Sequence, residues 1–253
     1  MSAKRLPRSF YARPAEIVAP DLLGKVLCHR LHSQPSGHAA YQAAPRAKDD
    51  VAEPSVATQP FPPRPRTGEG VGGEGLPPAI GDIVLSGRIV EVEAYKGQLD
   101  PGSHAFRGET RRNRVMFGPA GYVYIYISYG QHRCMNVVTE SPGVAGAVLI
   151  RALEPIEGIP VMEDLRGGKP LVDLANGPGK LCQALGITLA DNGDDLEGDE
   201  IWVEDDGFRP AEIATSTRVG LTAGADMELR FYVPGNPYVS KGRPSGFRPD
   251  ARP

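Results

Sequence analysis

Glu91 and Glu93 are separated by one residue and followed, one residue further on, by Tyr95. On an extended chain alternate side chains face the same way, so these three share a face at successive spacings of about 6.6 Å, with Val92 and Ala94 on the other. Two carboxylates roughly 6.5–9.5 Å apart are the arrangement in which one serves as acid and the other as base toward a water at an acetal carbon. The same spacing also suits an ordinary solvated strand face.

A second pattern, also of period two, runs through residues 121–130. It sets Tyr122, Tyr124 and Tyr126 on one face and Val123, Ile125, Ile127 and Tyr129 on the other, with Tyr129 just before a turn at Gly130. β propensity alone accounts for tyrosines on a strand. Residues 103–133, however, also hold Arg107, Arg111, Arg112, Arg114 and Arg133 against Glu109 alone. Aromatic rings beside a local positive charge suit nucleobases stacked next to a phosphate backbone. His104 has no Cys, His or carboxylate at metal-ligand spacing, so no metal is expected there. Arg151 lies within the apolar stretch AVLIRALEP and needs a carboxylate or backbone partner; Glu91 and Glu93 are the candidates.

The elements that must position these residues read as strands with short turns. AIGDIVLSGRIVEVEAYKG has the pattern of a strand hairpin, PAGYVYIYISYG and HRCMNVVTE of two strands, and VAGAVLIRALEPIEG of another, each closed by Gly or Pro. A helix is expected to begin near Ala15, or with Asp21 as its cap, ahead of the apolar run from Leu22 to Leu31. Another is expected in GPGKLCQALGI with Pro178 in its first turn, followed by the acidic loop LADNGDDLEGDE and late strands in EIWVEDD and LRFYVPGNPYVS. Strands and helices are mixed rather than alternating, so the expected class is α+β: one domain with a curved, mainly antiparallel sheet and surrounding helices.

Composition bounds the rest. Of 253 residues, 31 are Gly and 25 Pro, well above the usual share. Residues 33–80 concentrate them with no period of 2 or 3.6, so a disordered Pro/Gly-rich insertion is expected there, and a flexible tail over 241–253. No apolar run approaches the roughly 20 residues of a membrane span. Cys28, Cys134 and Cys182 form no C-x-x-C pair, so neither a zinc finger nor a disulfide framework is expected, and the expected compartment is the cytoplasm. The formal net charge of −3 is unevenly spread: residues 186–228 hold twelve Asp and Glu against two Arg, whereas residues 1–32 are basic.

In this order and at matching spacings, GRIVEVEAY, SHAFRGETRRNRVMF, YVYIYISYGQHRCMNVV, AVLIRALEP, NGPGKLCQAL and RFYVPGNPYVS resemble the alkyladenine (3-methyladenine) DNA glycosylase family. The resemblance covers residues 7–240 apart from 33–80. It implies that Glu93 activates the water attacking the sugar anomeric carbon and that Arg151 helps to hold Glu93 and that water. It implies that Tyr95, His104 and Tyr126 hold a flipped base, that Asn136 obstructs the 2-amino group of guanine, and that Tyr129 is wedged into the duplex. Glu91 receives no catalytic part from it. Arg107, Arg111, Arg112 and Arg114 are then candidates for the DNA backbone.

The expected partner is double-stranded DNA containing damaged purines, with no cofactor, no membrane and a monomeric enzyme. Alkylation makes a purine cationic, so it stacks well on electron-rich rings and leaves without protonation. The acidic segment 186–228 would then have to face away from DNA. Two rivals stand beside this reading. A glycoside hydrolase using Glu91 and Glu93 leaves the arginines and Asn136 without a role. A non-catalytic module stacking nucleic acid on Tyr122, Tyr124, Tyr126 and Tyr129 would tolerate loss of Glu93.

Overall fold

The apolar alternation in residues 83–95, 123–128, 132–139 and 146–157 becomes the middle of one large sheet. A computed structural model of the protein describes residues 3–32, 82–242 and 245; the expected insertion at 33–80 lies outside them. The strands are β1 (Lys4–Arg5), β2 (Val26–Leu31), β3 (Ile83–Tyr95), β4 (Val123–Ser128), β5 (His132–Thr139), β6 (Gly146–Glu157), β7 (Ile201–Asp205), β8 (Ala214–Ser216) and β9 (Arg230–Tyr232). The helices are α1 (Arg8–Tyr11), α2 (Ala15–Leu22), α3 (Ile159–Leu165) and α4 (Pro178–Ala184). The sheet order is β1-β7-β2-β3-β6-β5-β4, with β9 paired to β3 and β8 to β9, and every pairing is antiparallel. This is the α+β single domain that the sequence led us to expect.

Two local expectations need correction. The stretch read as a hairpin is the single 13-residue strand β3, whose hairpin partner is the earlier β2, in register from Val26 opposite Arg88 to Leu31 opposite Ile83. Gly87 marks close packing rather than a turn: a Cβ there would lie 3.0 Å from the Leu153 Cβ and 3.1 Å from the Glu154 carbonyl oxygen. Second, of the two helix starts, Ala15 holds; Asp21 sits inside α2 and pairs with Arg13 at 2.9 Å. The apolar run after it is divided by Gly24 (φ +85°), which ends the helix side and lets β2 begin. The short strands β1 and β8 carried no visible pattern, because two or three residues hold no period.

One face of the sheet is the main core. Val18 and Leu22 from α2, Met162 from α3 and Leu181 from α4 pack there on Leu85, Ile89, Val92, Ala94, Val123, Ile125, Met135, Val137, Val148, Ile150 and Leu153. The opposite face carries a smaller cluster under residues 97–121, built on Ala105, Val115, Met116, Tyr124, Val138 and Ala147.

The parity of the core positions switches within β3, from Leu85 and Ile89 to Val92 and Ala94. The cause is a bulge: Ile89 lies opposite Leu153 but Glu91 opposite Ala152, so Val90 is the extra residue. Strand β6 has its own shift one step on, where Ala152 faces Glu91 and Ile150 faces Val92, leaving Arg151 extra. Bulges re-aim side chains, and these two turn Glu91, Glu93, Tyr95 and Arg151 onto the face away from the helices.

Much of the acidity of residues 186–228 is matched by basic residues before residue 89. Lys25 meets Asp205 at 2.9 Å, Arg88 meets Asp206 at 2.8 Å, Arg8 meets Asp195 at 2.6 Å and Arg5 meets Asp199 at 2.7 Å. Apart from Lys25, which is buried, these are surface pairs worth about 0–1 kcal/mol each, so their effect is on local charge more than on stability. Within the stretch 241–253, Ser245 is hydrogen-bonded to Thr217, Arg218 and Leu221.

Candidate active site

Strand register lines up the site. Tyr124 on β4 lies opposite Asn136 on β5, Asn136 opposite Leu149 on β6, Leu149 opposite Glu93 on β3, and Glu93 opposite Arg230 on β9. Directly opposed residues of an antiparallel sheet share a face, so one row across five strands carries much of the candidate chemistry.

Glu91 and Glu93 are both 0% exposed, so this is not a solvated strand face. The Arg151 guanidinium bridges them, with Nε 3.0 Å from Glu91 Oε1 and Nη1 3.2 Å from Glu93 Oε1. Glu93 Oε1 also accepts from the Val219 amide at 2.7 Å, and its Oε2 accepts from the Tyr95 hydroxyl at 2.8 Å. Burial pushes the Tyr95 phenol well above its usual range, and the adjacent Glu93 charge pushes it further, so Tyr95 remains a donor. Glu91 is tied more fully: Oε1 accepts from Arg230 Nε at 2.7 Å and Ser240 Oγ at 2.9 Å, and Oε2 from the Ser240 amide at 2.6 Å. Burial alone would raise the Glu91 carboxyl; Arg151 and Arg230 outweigh it and hold the group below the ordinary carboxylate range.

A cavity opens above this row, lined by Tyr95, Gly102, Ser103, His104, Met116, Tyr124, Tyr126, Asn136 and Leu221. Glu93 lies behind Tyr95 rather than on its wall. The His104 ring stands 4.4 Å from that of Tyr126, nearly edge-on, and its Nδ1 is 3.1 Å from the Tyr124 hydroxyl. Its packing against these rings lowers the His104 pKa, and the Arg112 charge lowers it further, which favours the neutral imidazole. Tyr126 is held protonated by burial beside Cys134. Asn136 is 4% exposed and donates from Nδ2 to the Tyr124 carbonyl at 3.1 Å, which anchors its amide at the cavity wall.

The loop carrying His104 is held by groups that sequence reasoning missed. Asp100 and Arg218, both fully buried, form an ion pair (Nη2–Oδ1 2.7 Å). Asp100 also accepts from the Lys96 and Gly102 amides, while the Arg218 guanidinium lies 4.6 Å from the centroid of the Tyr95 ring. Gly97 (φ +59°) lets the loop press down, since a Cβ there would fall 1.8 Å from the Ala145 carbonyl oxygen. Arg230 and Ser240 were also missed as partners of Glu91; they lie 139 and 149 residues from it, and only their place in RFYVPGNPYVS hinted at a role.

The structure thus brings Tyr95, His104, Tyr126 and Asn136 onto the wall of one cavity, with Glu93 hydrogen-bonded to Tyr95 behind it and Arg151 against Glu93. Tyr129 stands apart at the β4–β5 turn, 87% exposed. Tyr129 (φ +49°) and Gly130 (φ +70°) are its central residues, and Gln131 N donates to the Ser128 carbonyl, the geometry of a type I′ hairpin turn. Arg107, Arg111, Arg112 and Arg114 are all exposed. Arg112 lies against Tyr126, with its guanidinium 5.7 Å from the ring centroid, and Arg114 pairs with Glu109 at 3.1 Å. Among the described residues no group of three or more His, Cys, Asp or Glu could hold a metal ion, and no helix is long and apolar enough to cross a membrane.

A buried carboxylate with one lightly used oxygen, beside an aromatic cleft, can polarise a water toward an electrophilic carbon. Comparison with known proteins gives the family. The family model for methylpurine-DNA glycosylase matches residues 73–237. Three relatives bear the name "Putative 3-methyladenine DNA glycosylase". One from Alkaliphilus oremlandii is 37% identical over 249 residues, 94% of this chain and 99% of that protein. One from Carboxydothermus hydrogenoformans is 43% identical over 238 residues, 93% and 98% of the two chains. One from Chlorobaculum tepidum is 51% identical over 162 residues, 64% and 78% of the two.

Proposed function

Because this chain belongs to the methylpurine-DNA glycosylase family, we propose that it extrudes alkylated or deaminated purines from duplex DNA and hydrolyses their N-glycosidic bond with a water activated by Glu93. The observation that carries this reading is the Glu93 carboxylate. Arg151 and the Val219 amide occupy Oε1, and among the described residues Oε2 is engaged by the Tyr95 hydroxyl alone. A carboxylate oxygen has two lone-pair sites, so Oε2 can accept from a water as well.

The steps follow from the named groups. A base inside the stack is out of reach, and extruding it costs a few kcal/mol. The exposed ring of Tyr129, entering the stack in its place, offsets part of that cost. Tyr95 and Tyr126, with His104 at the rim, supply rings on which the base stacks, most favourably when alkylation has made it cationic. Departure of the base leaves an oxocarbenium-like sugar; Glu93 stabilises that charge and takes the proton of the attacking water. Arg151 holds Glu93 in its orientation.

The product is an abasic site. A lyase step would need a free amine at the sugar, and the Lys96 ammonium is instead paired with Glu16 at 2.8 Å. The substrate class covers 3-methyladenine, 7-methylguanine, hypoxanthine and ethenoadenine. Arg107 and Arg111 are the arginines we assign to phosphates first, since Arg112 and Arg114 have partners within the chain. The enzyme acts as a monomer in the cytoplasm.

The test is single-turnover release of base from duplexes carrying one hypoxanthine or ethenoadenine, and from methylated DNA, by wild type and Glu93→Gln. Release by wild type, reduced about 10²–10⁴-fold in the variant with binding kept, is expected. Equal release by both would remove Glu93 from its role. Binding without release by either would leave a non-catalytic module.

A further inference from the structure

Glu91 is the most heavily engaged carboxylate in the site, and the mechanism above gives it no task. It is 0% exposed and takes four hydrogen bonds, from Arg151, Arg230 and both polar atoms of Ser240. A core position needs none of this, since an apolar residue of similar size in place of a buried ionic group is often neutral or stabilising. The bulge on β6 makes Arg151 the extra residue between Ile150 and Ala152, aimed between the two carboxylates.

From this geometry we propose that Glu91 is a positioning residue, which holds Arg151 by its Nε edge so that only one Nη reaches Glu93. The guanidinium is planar and rigid, so fixing Nε to Glu91 sets where Nη1 lies. Glu91 also takes up half of the local positive charge, because Arg151 and Arg230 face two carboxylates, Glu91 and Glu93. Without the Glu91 charge, Arg151 would turn to grip Glu93 with two nitrogens, as arginine and carboxylate do when unconstrained. The Glu93 oxygen that must accept from water would then be occupied. The inference rests on the reading of Glu93 as the base.

The charged groups facing Glu93 are Arg151 from β6, Arg230 opposite it on β9, and Arg218 behind Tyr95. Tyr95 on its own strand, Tyr126 on β4 and Cys134 on β5 are neutral in the working range, since burial raises all three. Glu91 is therefore the negative group whose removal changes the balance around Glu93.

The experiment compares wild type, Glu91→Gln, the charge-balanced double variant Glu91→Gln/Arg230→Met and Glu93→Gln. Each is measured for affinity toward a damaged duplex and for single-turnover base release as a function of pH. The double variant keeps the test open if Glu91→Gln fails to fold, because it leaves no arginine without a carboxylate. For the Glu91 variants we expect binding within a few-fold of wild type and a rate constant reduced about 10- to 100-fold. A merely structural role would lower the reaction amplitude and leave the rate constant in place, and that result would overturn the proposal. Wild-type behaviour in both Glu91 variants, with Glu93→Gln inactive, overturns the positioning role alone; wild-type release by Glu93→Gln overturns the underlying reading as well.

Discussion

Arg151 Nη1 lies 3.2 Å from Glu93 Oε1, and this contact is formed where neither side chain reaches bulk water. A buried pair contributes little net stability when intact, since desolvation opposes attraction, but removing one partner leaves an uncompensated buried charge.

Arg151→Met should therefore destabilise the protein by about 3–5 kcal/mol. At roughly 2–4 °C per kcal/mol for a domain of this size, thermal unfolding should shift down by about 10 °C. Adding Glu93→Gln to the same variant removes the stranded charge and should recover part of the loss. A double variant no more stable than Arg151→Met would show that the two residues are not coupled.

Tyr129 holds a left-handed backbone, a conformation that costs an L residue with a large side chain about 1–2 kcal/mol. Asn tolerates it, and Asn-Gly is the favoured pair for this turn. Tyr129→Asn is expected to raise stability by about 1 kcal/mol in urea unfolding while slowing base release from duplex substrates. Release from a single-stranded substrate should change less, because no duplex has to be held open. A variant both less stable and fully active on duplex would contradict both halves.

The Asn136 amide is tethered to the Tyr124 carbonyl and cannot swing out of the way of a base. Asn136→Ala should raise release of guanine-type adducts relative to adenine-type ones by tenfold or more, an effect of about 1.4 kcal/mol. Competition between 7-methylguanine and 3-methyladenine in one methylated DNA sample reads the ratio directly. An unchanged ratio would assign discrimination elsewhere on the wall, with Met116 and Leu221 the next residues to vary.

Glu91 links stability to pH in a defined direction. Burial raises its carboxyl, but Arg151, Arg230 and the Ser240 hydrogen bonds prevail, so its folded pKa lies below the unfolded value of about 4.3. A lowered folded pKa contributes stability that is present above the unfolded value and lost as pH falls through the folded one. Urea unfolding of wild type between pH 6 and pH 3 should show a loss below about pH 4.3 that is shallower in Glu91→Gln/Arg230→Met. Parallel curves would mean that Glu91 titrates alike in both states.

The alternation in residues 91–95 and 122–126 correctly placed Glu91, Glu93 and Tyr95 on one face and three tyrosines on another strand's single face. Alternation is a local property, so a short stretch of chain carries it whole. Of the partners of Glu91, Arg151 was legible as a charge inside an apolar strand, but Arg230 and Ser240 were not, because they reach it across more than a hundred residues and nothing in their own neighbourhood marks them as its ligands. Arg218 was hidden for the same reason: a fully buried arginine looks like a surface one until Asp100 is brought against it.

What the sequence by itself determined is the class of the fold, the family and the short-range facing of each strand, because strand periodicity and turn residues act within a few positions. What only the tertiary structure decided is which face of the sheet those carboxylates occupy. Two bulges, at Val90 and Arg151, switch the parity of the core positions within β3 and β6. A one-residue slip in pairing turns every later side chain to the other face. The register depends on how β3 and β6 meet, so no stretch of either strand could have specified it alone.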